Sequence, residues 1–121
     1  MSNPKQSKEC IFCKIIEGTL PSEKVYEDDR VFAFRDISPQ AKTHVLIIPK
    51  KHVVDILDVS AEDATIFSDL LRAVQHIAPQ LGIAGTGFRT VFNSGDHACQ
   101  TIYHLHLHLL GGEQLGGSMV G

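Results

Sequence analysis

No apolar run in this 121-residue chain approaches the ~20 residues that a bilayer-spanning helix needs, which argues against a membrane segment. The opening stretch, Met1 to Lys8, is polar and lacks the apolar block of a secretory signal, so residues 1–8 are expected to be a disordered lead-in. Cysteine is scarce and odd in number. Three residues exclude a fully paired disulfide scaffold and point to a reducing, cytoplasmic setting. Basic charge is not in excess either. With 11 Lys and Arg against 14 Asp and Glu, the formal charge is −3, which removes any general attraction to nucleic acid or to an anionic membrane. Internal repeats, low-complexity tracts and linkers are also missing, so a single domain is expected.

The composition, 43% hydrophobic and 21% charged, is that of an ordinary globular protein. Cys10 to Ile16 reads as one or two helical turns, closed by Gly18 and Pro21. Lys24–Glu27 and Val31–Arg35 are strand-like around an Asp28-Asp29 turn, and Thr43–Ile48 is a third strand stopped by Pro49. Ser60 and Asp63 resemble a capping box. From there Ile66, Phe67, Leu70, Leu71, Val74, Ile77 and Ala78 recur at helical spacing up to Pro79, with Gly82 as the stop. Gly87–Asn93 is expected as a fourth strand, and Ile102–Leu110 as a fifth. Five strands with short early connections and one long helix imply an antiparallel α+β sheet.

The fifth segment carries the strongest signal. In His104-Leu105-His106-Leu107-His108-Leu109-Leu110 three histidines alternate with leucines at the period of a β-strand. The leucines enter a core, and the imidazoles share the opposite face about 6–7 Å apart. Imidazoles so grouped suit nucleophilic chemistry, proton transfer or metal binding. Gln100, Thr101 and Asn93 lie beside this face and offer neutral donors suited to a phosphoryl group. His44, taken alone, reads as a buried, hydrogen-bonded structural histidine rather than a catalytic one. Asp36 fits either a turn cap or an acceptor for ribose hydroxyls.

Cys10-x-x-Cys13 is half of a tetrahedral metal site, with His52 and either His97 or His104 available as further ligands; two inert buried thiols are the other reading. Cys99 has no partner nearby in sequence and His76 reads as a surface residue of the long helix.

The triad segment matches the signature His-φ-His-φ-His-φ-φ (φ apolar) of the histidine triad superfamily. The segments Asp36–His52, Ile11–Ile16 and Gly111-Gly112 resemble its Hint branch, the histidine triad nucleotide-binding proteins. The resemblance covers about residues 9–112, leaving 113–121 as a flexible tail. It implies a homodimer whose two five-stranded sheets join into one of ten strands, and hydrolysis of purine nucleoside 5′-phosphoramidates, of AMP or GMP type, without a catalytic cofactor. On matching positions, His106 is the implied nucleophile and His108 the phosphate ligand, with His104 and His44 completing the histidine network. Asn93, Gln100 and Thr101 fall on the phosphate side, Asp36 at the ribose, and Ile11, Phe12 and Ile37 at the base. Cys10, Cys13, His52 and His104 resemble the structural zinc ligands of a bacterial-type subset. Thr101 stands where many relatives carry serine, and the chain has no tryptophan with which a tail could reach a partner's pocket.

Two other functions remain open on sequence. A dinucleoside polyphosphate hydrolase is disfavoured by Gly111-Gly112 and the Ser38-Pro39-Gln40 segment. A nucleotide-sensing or partner-binding module is disfavoured by the intact triad.

Overall fold

The structure, a computed structural model, describes residues 10–118; the lead-in expected over residues 1–8 lies outside the described residues. Seven regular elements follow one another: α1 (Ile11–Glu17), β1 (Lys24–Glu27), β2 (Val31–Arg35), β3 (Thr43–Pro49), α2 (Thr65–Gln80), β4 (Phe88–Phe92) and β5 (Leu107–Gly111). The strands form one antiparallel sheet in the order β1-β2-β3-β5-β4, the α+β class expected from the sequence. The β1–β2 turn closes on Asp28, whose Oδ1 accepts the Arg30 and Val31 amides at 2.8 Å each.

Both faces of the central strands are covered, which explains their unbroken apolar runs. Val31, Ala33, Val45, Ile47, Leu107 and Leu109 face α2 and pack on its Ile66, Leu70, Ala73, Val74 and Ile77. On the opposite face Phe32, Phe34, Leu46 and Ile48 meet Cys10 and Phe12 at the start of α1. Leu46 pairs with His108 and His44 with Leu110, so both histidines stand on the α1 side.

Two boundaries differ from the sequence expectation. The long helix begins at Thr65, not after Ser60, because Ala61–Asp63 form a separate 3-10 turn. Ser60 makes no capping bond to the backbone; its hydroxyl donates to the Asp63 carboxylate, which also pairs with Lys51. The fifth strand begins at Leu107, so only His108 of the triad lies in the ladder. The preceding stretch bonds elsewhere: Leu105 donates its amide to the Val53 carbonyl at 2.7 Å. Its alternation persists outside the ladder, with Leu105 in the α2-side core.

Of the tail, Glu113 accepts the Lys42 amide at 2.7 Å and Gly116 accepts from Arg89 at 2.8 Å; residues 119–121 lie outside the described residues.

Cys99 is the one non-glycine residue at positive φ among the described residues (φ 64°, ψ 31°). A side chain in that region costs roughly 1–2 kcal/mol, whereas glycine escapes the clash but loses about 0.5–1 kcal/mol to unfolded-state freedom. Cys99→Gly is therefore expected to be neutral or to stabilise by less than about 1 kcal/mol, and Cys99→Val to destabilise by about 1–2 kcal/mol. Urea unfolding midpoints check the order.

Candidate active site

β3 and β5 carry His44 and His108 toward each other from adjacent strands, with 2.9 Å between His44 Nε2 and His108 Nδ1. The His106 ring lies 4.9 Å from that of His108, edge to face. Phe12 closes the group from α1: its ring meets the His106 ring at 5.2 Å and 88°. His44, His104 and His106 are all buried.

Main-chain groups decide which ring nitrogen bears the proton. The His106 Nδ1–H donates to the His104 carbonyl at 2.7 Å, which leaves the Nε2 lone pair free. The His104 Nε2–H donates to the Pro49 carbonyl at 2.8 Å, which leaves its Nδ1 as an acceptor or ligand. At His44 the polarity is reversed, since Nδ1 accepts the Gln40 amide at 3.0 Å.

Burial lowers the pKa of all four histidines, because a charged imidazole loses its hydration. His108 falls to about 4 through burial first, then through repulsion from His106 and His44. The Asp36 carboxylate partly opposes this at His44, His106 and His108. The site therefore holds neutral imidazoles at pH 7.

A stability consequence follows from His44 and His108. Their folded pKa lies below the unfolded value near 6.5, so between those values the unfolded chain binds more protons. The stabilisation is complete above pH 6.5 and is lost as pH falls toward 4. The melting temperature should decline across that window, and His108→Asn should flatten the decline; calorimetry from pH 7 to 4.5 measures both.

Asp36 directly follows β2 and folds its own loop: Oδ1 accepts the Ser38 amide at 2.8 Å, while Oδ2 lies 3.5 Å from His44 Nε2. Both sequence readings of this residue, turn cap and free acceptor, thus have an oxygen to support them. Ile37, beside it, is 96% exposed, and Ile11 is half-exposed at the start of α1. Phe12 is buried against His106 and Phe34. Gln100 is turned inward: its amide donates to the Val54 and Ile102 carbonyls and its Oε1 accepts the Gly95 amide at 2.9 Å, pinning the loop that carries exposed Thr101. Asn93 directly follows β4; extending the Phe92–Leu107 pairing by one residue sets it opposite His106.

Cys10, Cys13, His52 and His104 meet behind the triad, with all four ligand atoms within 4.8 Å of one another. Cys10 caps α1, its Sγ accepting the Cys13 amide at 3.3 Å, so the first helical turn places both sulfurs on one side. His104 Nδ1 lies 3.3 Å from Cys10 Sγ and 3.5 Å from Cys13 Sγ, and His52 Nδ1 lies 3.4 Å from Cys13 Sγ. Burial and the neighbouring Cys10 push the Cys13 thiol up to about 12, so it keeps its proton unless a cation takes the proton's place. Of the two further histidines the sequence offered, the structure selects His104; His97 is exposed in the 96–98 turn. His76 is exposed on α2 and stacks on Tyr26 at 5.7 Å, and Cys99 is exposed and far from the cluster in role.

Asp36, His44 and His108 also lie close enough to hold a cation. A metal there would have to displace the His44 Nε2 proton while the Gln40 amide occupies Nδ1, so this group is built for hydrogen bonding.

Sequence reasoning missed the main-chain contributors, the Pro49 and His104 carbonyls and the Gln40 amide, because a residue letter carries no information about where its peptide group points. Only the Thr43-His44 strand after a tight Ser38-Pro39-Gln40 loop hinted at the last.

Residues 17–115 match the HIT domain family. The chain belongs to that family. The HIT-family relatives include the purine nucleoside phosphoramidase of Escherichia coli K12, 49% identical over 110 residues that cover 91% of this chain and 92% of the relative. Among solved structures, a histidine triad protein from Clostridium difficile superposes with a TM-score of 0.88 at 42% identity, covering 96% of this chain and 97% of that one. A HIT family hydrolase from Clostridium thermocellum gives a TM-score of 0.90 at 46% identity over 93% of this chain and 98% of its own. By this kinship the HIT protein described here is an enzyme of the hydrolase class.

Proposed function

We propose that the enzyme hydrolyses the P–N bond of purine nucleoside 5′-phosphoramidates through a nucleotidyl intermediate on His106. The reading rests on one observation: His106 is neutral, its Nδ1–H is held by the His104 carbonyl, and its Nε2 lone pair has no protein partner among the described residues. The phosphoramidase named above supports the choice of substrate.

In the first displacement Nε2 attacks the α-phosphorus, the P–N bond breaks, and the amine leaves with one proton taken up from solvent. The positive charge on the substituted imidazole is stabilised by the Nδ1–H bond to the His104 carbonyl. Water then attacks the same phosphorus, the P–Nε2 bond breaks, and one water proton is lost to solvent. The sum is phosphoramidate plus water giving nucleoside monophosphate plus amine. His108 donates to a phosphoryl oxygen, and Asn93 and Thr101 are the further donors proposed for the charge that develops there. Asp36 accepts from the ribose hydroxyls, and exposed Ile37 and Ile11 cover the base.

Cys10, Cys13, His52 and His104 fit zinc by their sulfur and nitrogen donors, their convergence and the fixed His104 tautomer. Zinc there would tie α1 to the triad segment, and four protein ligands leave no open position for substrate. The partner in solution is a second copy of the chain. β4 is an uncovered sheet edge carrying half-exposed Phe88, and α2 carries half-exposed Leu71. Light scattering at micromolar concentration should give twice the chain mass; a strict monomer would contradict this. No described helix is long and apolar enough to cross a membrane, and a cytoplasmic setting suits three free cysteines.

The reading is tested by incubating the protein with an adenylated amine and, separately, with a diadenosine polyphosphate, then quenching in mildly alkaline denaturant, which spares a P–N bond to imidazole. Faster turnover of the amine conjugate and a peptide bearing AMP on His106 are expected. Preference for the polyphosphate would move the enzyme to that substrate class, and binding without turnover would make it a nucleotide sensor.

A further inference from the structure

The 36–44 loop folds back so that the Gln40 main-chain amide meets His44 Nδ1 at 3.0 Å. An amide can only donate, so His44 Nδ1 can only accept, and in the neutral ring the proton must sit on Nε2. The other side of the ring requires the same. His44 Nε2 faces the Asp36 carboxylate at 3.5 Å, a group that can only accept when ionised, and His108 Nδ1 at 2.9 Å. The opposite polarity would aim two N–H groups at one another across the Gln40–His44 contact and leave a lone pair against the Asp36 carboxylate. With His44 donating, His108 Nδ1 must accept, and its single proton is placed on Nε2. No other described residue hydrogen-bonds the His108 ring.

We infer that the Gln40 main-chain amide and His44 are positioning groups that lock His108 as a neutral Nε2–H donor, so that His44 never carries a proton through the reaction. This rests on the proposed hydrolase reading for its catalytic meaning, but the lock itself exists without substrate. It also assigns a physical reason to a histidine that sequence alone left between structural and catalytic: His44 transmits the direction of a peptide N–H across two strands. A neutral His108 donates a hydrogen bond to a phosphoryl oxygen in both displacements and does not supply the leaving amine's proton.

Nuclear magnetic resonance of nucleotide-free protein labelled with nitrogen-15 tests the lock directly near pH 7.5. His44 and His108 should each show a single Nε2–H tautomer. Scalar couplings through the hydrogen bonds should link the Gln40 amide nitrogen to His44 Nδ1, and His44 Nε2 to His108 Nδ1. An Nδ1–H tautomer at either ring overturns the inference, whatever substrate the enzyme takes. Two variants extend the test. His44→Gln keeps an N–H donor at the Nε2 position, so His108 should remain Nε2–H; His44→Leu removes the donor, so His108 should populate both tautomers. The loss of kcat on an adenylated amine should be at least tenfold greater for His44→Leu than for His44→Gln. Equal losses in two variants whose His108 tautomers differ would overturn the positioning role. Failure of both variants and the parent on every phosphoramidate, with the tautomers as expected, would instead strike the substrate reading and leave the lock standing.

Discussion

His106→Asn is expected to abolish turnover while leaving nucleotide affinity within a few fold of the parent. Asparagine is smaller, but its amide can still donate toward the His104 carbonyl, and it offers no nucleophilic lone pair. Loss of a covalent nucleophile removes on the order of a thousandfold or more in kcat, roughly 4 kcal/mol of barrier. The adduct trapped by the alkaline quench should vanish with it. A residual rate within about tenfold of the parent, or an adduct that persists on another histidine, would transfer the nucleophile's role elsewhere in the network. The neutral state imposed by burial sharpens the expectation, since the parent needs no deprotonation of His106 at pH 7 and its rate should not rise steeply between pH 7 and 8.

Removal of metal is expected to cost the most stability. Protein purified without chelators should carry about one zinc per chain by elemental analysis. Stripping it should lower the melting temperature by roughly 10 °C or more, because binding free energy at a site absent from the unfolded chain is folding free energy. Cys13→Ser should reproduce the shift and make it insensitive to added zinc. The reason lies in what the four ligands join: Cys10 and Cys13 begin α1, His52 follows β3, and His104 precedes β5. Without a cation, the Cys13 thiol is pushed up to about 12 and His104 down to about 4, so two neutral groups are left side by side with only a weak contact of 3.5 Å. Protein with no metal and an unchanged melting point after chelation would make Cys10 and Cys13 plain core thiols.

Much of the fold was legible because burial imposes period. The alternation of Leu105, Leu107 and Leu109 with three histidines announced two faces, and the runs Val31–Phe34 and Val45–Ile48 announced strands, whose cover on both sides emerged only with the fold. The short strands β1 and β4 also emerged near their bounds. What failed were boundaries set by competition for hydrogen bonds. Alternation cannot distinguish a laddered residue from one whose amide bonds to a loop carbonyl, as Leu105 does to Val53, so the start of β5 was placed five residues early. Likewise Ser60 had the letters of a cap, but its hydroxyl was drawn to the Asp63 carboxylate. In the site, the side chains were readable and their convergence was not. Nothing local distinguishes His104 from His97 as a partner for Cys10 and Cys13 until β5 docks between β3 and β4.

The protons of this site are set by peptide groups: a carbonyl at Pro49 for His104, a carbonyl at His104 for His106, and an amide at Gln40 for His44. Peptide groups survive almost any exchange of the side chain attached to them. Positions 40 and 49 are therefore free to drift in identity as long as the backbone path is kept, and only proline at 40 would erase its contribution outright. Alanine scanning would pass over Gln40 and Pro49 as silent, although each holds one imidazole in its working tautomer. In this enzyme the robustness of the chemistry to mutation and the invisibility of its control to mutagenesis have the same origin.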